Sequence, residues 1–200
     1  MPPNSPISAS PAPTPQEKAL KRVLTISWLD GWCLIVIAGL SLLITLLLLE
    51  PMGVAISLLI LTSGIMELRG RRTLKRRDPD GMRLLTRAQL FVLSVILVYC
   101  ARCIGSFDAG YLKEQVIPEI RQLLMSWFGI NLDEFLQQGG LTVQELVSLA
   151  HKAVWLLYGT VAGVSLIYQG GLALWYRNKT RLVTEALAAP PLPPTHTPLA

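Results

Sequence analysis

The sequence is poor in the residues that most enzymatic chemistry needs. It has two histidines, His151 and His196, far apart in the chain, and three cysteines, Cys33, Cys100 and Cys103. No Walker A, G-x-S-x-G, H-E-x-x-H or dinucleotide glycine pattern occurs, so neither a conventional soluble-type enzyme nor a metal or cofactor is implied. Charge is scarce as well. Only 16% of the residues are Asp, Glu, Lys or Arg, against 52% hydrophobic, and the mean hydropathy is +0.47, which excludes an ordinary globular domain.

What is abundant is uninterrupted apolar sequence. Trp32 to Leu49, Pro51 to Met66 and Ala153 to Tyr176 hold no charge, and Ala88 to Phe107 holds only Arg102. A bilayer core of about 30 Å takes about 20 helical residues, so the runs predict spans over about 28–49, 51–68, 88–107 and 152–176. A buried helix of a soluble bundle keeps a polar stripe; "LSLLITLLLL" and "AISLLILTSGI" have none. A cleavable signal peptide does not fit the first run, which is too long, follows a Pro/Ser-rich segment and has no small-residue cleavage site after it. The expected fold is all-α: a four-span transmembrane helical bundle. With no carboxylate or basic residue mid-span, the sequence argues against an ion-coupled transporter.

Basic residues are unevenly placed between these spans. Eight of them, Arg69, Arg71, Arg72, Lys75, Arg76, Arg77, Arg83 and Arg87, crowd between spans 2 and 3. With Lys18, Lys21, Arg22, Arg177, Lys179 and Arg181 they put fourteen of the eighteen Lys and Arg on the side of the N-terminus. The other side has an acidic balance. Short basic loops resist translocation, so both termini are expected in the cytoplasm, with the protein in the inner membrane. Anionic lipid headgroups are the expected contact of the eight basic residues, by roughly 1 kcal/mol each. A nucleic-acid surface is not expected, because the stretch has no aromatic residue to stack on bases and is diluted by Glu67, Asp78 and Asp80. Trp28 and Trp32, Tyr99 and Trp155, and Trp175 and Tyr176 fall near the span ends, as an interfacial aromatic belt does.

Organisation follows from composition. Residues 1–22 read as a disordered Pro/Ser-rich segment and 23–176 as the bundle, with 67–87 as a basic cytoplasmic linker. Residues 177–200 read as a Pro-rich cytoplasmic tail, with a P-x-x-P at Pro190 to Pro193. Glu50-Pro51-Met52-Gly53 makes a tight turn, since Pro51 ends one helix and can open the next. Residues 108–151 are expected to form a small extracytoplasmic helical cap. Leu112, Val116, Ile120, Leu123, Leu124, Trp127 and Phe128 recur at helical spacing, Pro118 kinks or splits that helix, and Thr142 with Glu145 matches a capping box that opens the next.

Three sets of residues stand out as candidate sites. Cys100 and Cys103 form a C-x-x-C at the outer end of span 3, with Arg102 between them to favour a thiolate. Four-helix membrane oxidoreductases that pass electrons from thiols to quinone also carry a C-x-x-C at a periplasmic helix end, and the chain resembles them in span number, orientation and motif. Such enzymes use a second cysteine pair as a relay. The only other cysteine here, Cys33, falls toward the opposite end of span 1, so filling of a packed helix by small apolar Cys is the competing reading. Gly159 and Gly163 are spaced as in close helix pairing in lipid, within the chain or between two copies. Glu67, Gln89 and Gln169 fall in the same leaflet and are expected to hydrogen-bond across the bundle.

The segment "ELRGRRTLKRRDPDGMRLLTRAQ" followed by an apolar span resembles one in small multi-pass bacterial membrane proteins: a Glu-Leu-x-Gly helix end, a basic linker, Asp-x-x-Gly and a Gln that opens the next helix. The likeness covers Gly64 to Cys103 and implies a bacterial membrane location but no activity. Three functional classes follow from the sequence: a structural or interaction protein, with a homo-oligomer or a membrane-protein partner; a membrane thiol-disulfide oxidoreductase; and a small-molecule or lipid carrier. The first leads.

Overall fold

The computed structural model describes residues 14–188, which are almost entirely helical and contain no strand. The elements are α1 (Pro15–Leu47), α2 (Pro51–Lys75), α3 (Asp80–Gly105), α4 (Ala109–Tyr111), a π turn (Leu112–Val116), α5 (Ile117–Phe128), α6 (Leu132–Gln138), α7 (Val143–Ser165), a second π turn (Leu166–Gly170) and α8 (Gly171–Ala188). Among them α1, α2, α3 and the continuous helix Val143–Ala188 are long and apolar enough to cross a membrane. By contact the chain divides into two compact units. One comprises the chain up to Val92 together with the part from Gln169 onward; the other is Leu93–Tyr168.

In the first unit the usual soluble arrangement is inverted. The buried residues of α1 include Ala19, Ser27, Asp30, Gly31, Ala38 and Thr45, and those of α2 include Gly53, Ser57, Ser63, Gly64 and Gly70. Large apolar residues face outward instead: Val36, Ile37, Leu40, Leu43 and Leu47 form an exposed stripe on α1. In water such a stripe would be an association surface. In lipid, where burying Leu gains nothing, small residues go to the helix interfaces so that backbones approach. The chain is a multi-pass membrane protein.

Helix ends explain where the elements stop. At the start of α1 the Glu17 amide donates to Thr14 Oγ1 at 3.3 Å and the Thr14 amide donates to Glu17 Oε2 at 3.0 Å, a capping box with Pro15 in the first turn. The segment expected to be unstructured as far as residue 22 is therefore helical from Pro15, and residues 1–13 lie outside the described region. Pro51 occupies the first turn of α2, as expected, and Leu49 takes a φ of 52° to turn the chain.

The basic stretch 67–87, expected as a linker, is mostly helical. α2 continues to Lys75 and α3 starts at Asp80, leaving a turn of only four residues. Arg and Lys are good helix formers and do not by themselves end a helix. The helices can turn back so sharply because Gly70 and Gly81 meet: a Cβ on Gly81 would stand 2.6 Å from the Gly70 carbonyl oxygen. The tail expected from 177 is helical to Ala188, since Ala173, Tyr176, Val183 and Leu187 form a buried stripe along α8. Tyr176, Val183 and Leu187 pack there with Val23, Leu74, Met82 and Leu85. The P-x-x-P at 190–193 lies outside the described residues.

The second unit contains the later part of α3, the short helices and α7. Its core joins Ile117, Leu132 and Leu136, with Leu124 and Val143 packed against them. Pro118 sits in the first turn of α5, where its missing amide N–H costs nothing, and the π turn immediately precedes that helix. Gly129, at φ 64°, closes α5. Thr142 and Glu145 form the capping box that opens α7, with the Thr142 amide donating to Glu145 Oε2 at 2.7 Å. Arg121 donates to Asp133 at 2.7 Å, tying α5 to α6.

Candidate functional site

Four helices of the first unit each contribute one polar side chain to a buried cluster. Asp30 lies on the α1 face that also carries Ser27, Gly31 and Leu34; Glu67 lies on the α2 face of Ser63, Gly64 and Gly70. Gln89 comes from α3 and Tyr176 from α8. Glu67, Gln89 and Tyr176 have no solvent-exposed surface, and Asp30 has 6%.

Gln89 is the centre of the geometry. Its Nε2 donates to Asp30 Oδ2 at 2.7 Å and to Glu67 Oε2 at 3.0 Å, so both amide hydrogens are spent on carboxyl groups. On the far side of Glu67, the Tyr176 hydroxyl donates to Oε1 at 2.9 Å. The neighbours of the Glu67 carboxyl are thus Gln89, Tyr176 and Asp30, with no Lys or Arg among them. Arg71, one turn further along α2, is turned elsewhere and donates from Nε to the Leu24 carbonyl at 3.0 Å. Ser63 supports the α2–α3 contact next to the cluster by donating to the Ala88 carbonyl at 2.8 Å. Among the described residues, Gln89 Oε1 and Gln169 Oε1 are buried acceptors without a donor.

Of the three residues singled out as a polar set, Glu67 and Gln89 bond directly. Gln169 is buried in the second π turn, but no hydrogen bond of its Oε1 joins it to them. The sequence reading omitted Asp30 and Tyr176. Asp30 lies two residues outside the charge-free window that begins at Trp32, yet well inside the 33-residue α1. The signal for it was a lone acid between Ser27 and Gly31, next to the apolar run. Tyr176 was read only as a belt aromatic, although its ring lies 5.4 Å from Trp175 while its hydroxyl points inward.

The other candidates lie elsewhere. Cys100 is buried and Cys103 half-buried on one side of α3, Cys33 is exposed on α1, and all three are free thiols. Cys103 interacts with the hydroxyls of Tyr99 and Tyr158, whose rings meet edge-on at 5.9 Å. Phe107 stacks on His151 at 4.7 Å, and Trp155 Nε1 donates to His151 Nε2 at 3.0 Å. At Gly159 and Gly163 an added Cβ would meet nothing within 4 Å. Among the eight basic residues, Arg69, Arg72, Lys75, Arg76, Arg77, Arg83 and Arg87 are exposed, and only Arg71 is partly buried. Arg83 and Arg87 line a shallow cleft with Thr86, Arg177 and Thr180.

The fold and the site define a class: an all-helical, multi-pass membrane protein with a buried polar cluster. No family model, curated protein or solved structure matches the chain.

Proposed function

We propose that the protein is a structural or interaction component of a membrane and offers the α7 face around Gly159 and Gly163 to another transmembrane helix. The observation carrying this reading is a contrast among glycines. Gly31, Gly64, Gly70 and Gly81 are filled by neighbouring backbone and side chains, whereas Gly159 and Gly163 face open space on a helix with no buried residue. Small residues four apart are what close helix association in lipid requires.

The surrounding membrane, on this reading, is the cytoplasmic membrane of a bacterium, with both termini in the cytoplasm and residues 108–151 outside. Support comes from the fourteen Lys and Arg on one side and from the resemblance over Gly64 to Cys103. The cleft of Arg83, Arg87 and Arg177 suits anionic lipid headgroups.

The test is the oligomeric state of the full chain in lipid nanodiscs or vesicles, read by energy transfer between labelled copies or by a co-purifying partner. Replacing Gly159 and Gly163 together by Leu should abolish the association and leave thermal stability unchanged. A wild-type chain that stays monomeric with no partner, or a double variant that associates normally, overturns the reading.

A further inference from the structure

Not all of the apolar surface of α5 is used in the core of the second unit. Ile117 and Leu124 pack inward with Leu132 and Leu136. Ile120, Leu123 and Trp127, a row at i, i+3 and i+7, are exposed instead, and Phe128 beside them is exposed too. Trp127 is the extreme case, with 76% of its surface open. Glu119, Gln122 and Ser126 make a separate exposed row of polar residues on the same helix. From Gln122 to Leu132 the sequence has no charge. In water, an apolar stripe with two aromatic rings is an association surface.

The attachment of α5 limits how far this stripe can stand from lipid. The core on which α5 sits includes Val143, Leu146 and Val147 from the first turns of α7. Lys152, the last charge before the apolar run of that helix, is only five residues past Val147, about 8 Å along the axis. At the other end, α4 starts at Ala109, four residues after α3 stops at Gly105. The small helices are thus built directly on the ends of two membrane-crossing helices. α7 also turns Leu149 and Leu156 outward, so apolar surface runs from the level of the cap down to the level of the span.

From this placement we propose that Ile120, Leu123, Trp127 and Phe128 form an interfacial anchor, inserted among the phospholipids of the leaflet where α3 ends and α7 begins. A helix with Trp, Phe and Leu on one face and polar residues on another lies in the plane of the interface with the apolar face down. Trp is the residue that prefers this depth. The charges around the stripe say what kind of attachment it is. Between Ala109 and Gln138 the acids Glu114, Glu119, Asp133 and Glu134 outnumber the bases Lys113 and Arg121, and Arg121 is paired with Asp133 at 2.7 Å. The anchor therefore holds by apolar burial and not by attraction to anionic headgroups. The inference rests on the chain spanning a membrane; it holds for either orientation and whether or not α7 pairs with another helix.

The experiment uses the full-length protein in phosphatidylcholine vesicles that contain a phospholipid with a photoactivatable diazirine on one acyl chain. After irradiation the labelled residues are read by mass spectrometry, with Leu156 on α7 as the internal reference for a lipid-facing position. Leu123, Trp127 and Phe128 should label to an extent comparable with Leu156 and several-fold more than Glu119, Gln122 and Ser126. Labelling should be equal in low and high salt. The double change Leu123→Gln with Trp127→Gln spares the inward-packed Ile117 and Leu124, so the unit should still fold; it should cut labelling of Phe128 several-fold while Leu156 is labelled as before. Strong labelling of Leu156 with none of the stripe above the polar row overturns the proposal and shows the stripe to be covered by protein or open to water. Labelling of Phe128 that is unchanged in the double variant, or lost in high salt, also overturns it, because the cap would then be held at the surface by its tethers or by charge.

Discussion

Gly31 and Gly64 face each other where α1 crosses α2: a Cβ on Gly64 would stand 3.1 Å from the Gly31 carbonyl oxygen and 2.9 Å from Ile35 Cγ1. The hairpin is thus held by backbone contact, with Ser57 donating to Ser41 at 3.0 Å nearer the turn. In lipid such contacts, and not the burial of Leu, decide which helices pair.

The first prediction concerns this crossing. Gly64→Leu should destabilise the protein by about 1–3 kcal/mol, the cost of overpacking a tight interface, whereas the same change at Gly159 alone should be neutral for folding. Thermal unfolding of the two variants in detergent checks it; equal Tm values would show that the hairpin does not depend on close approach.

A second prediction separates the members of the polar cluster. Tyr176→Phe removes one donor and keeps the ring, so it should cost no more than about 1 kcal/mol. Gln89→Leu removes both amide hydrogens and with them two buried hydrogen bonds, at a cost of about 0.5–1.5 kcal/mol each, so it should cost more than Tyr176→Phe. Trp175, in contact with Tyr176, gives a fluorescence signal for unfolding in both variants. A Tyr176→Phe variant less stable than Gln89→Leu would contradict the central place of the amide.

How far the sequence could be read depended on the physical signal involved. Lengths of uncharged sequence announced four crossings, because the bilayer sets the length of an apolar helix. Helix ends marked by special residues, Pro51 and the Thr142–Glu145 pair, were equally legible. The extent of the helices into the basic linker and the C-terminal tail was less legible, because charged residues with long aliphatic stems propagate α2, α3 and α8 without difficulty. Asp30 was missed for a different reason. Its burial is a property of four helices meeting, and no single window contains Glu67, Gln89 and Tyr176 together.

A third prediction addresses the thiols. Cys100 is buried, Cys103 half-buried between the two tyrosines and Cys33 exposed on α1. In detergent a small maleimide should modify Cys33 and Cys103 in the native protein and reach Cys100 only on unfolding, as single-cysteine variants would show. Fast modification of Cys100, or protection of both Cys100 and Cys103 in the wild-type chain until a reductant is added, would revive the oxidoreductase reading through a Cys100–Cys103 disulfide.

The last prediction is topological. The turn between α2 and α3, with Arg76 and Arg77, and the neighbouring helix ends hold eight of the eighteen basic residues, and the acidic residues between α3 and α7 have few basic companions. Because the membrane inserts charged loops asymmetrically, reporters fused to the two ends should both be found in the cytoplasm. Replacing Arg69, Arg72, Lys75, Arg76, Arg77 and Arg83 by Gln should make the orientation mixed. These six are exposed, so their loss should act on insertion with little effect on packing; Arg71 is spared because its bond to the Leu24 carbonyl belongs to the α1–α2 interface. Reporters on opposite sides would mean that one of the four helices does not cross, and an unchanged orientation in the six-fold variant would assign the topology to Lys18, Lys21 and Arg22 or to Arg177, Lys179 and Arg181 instead.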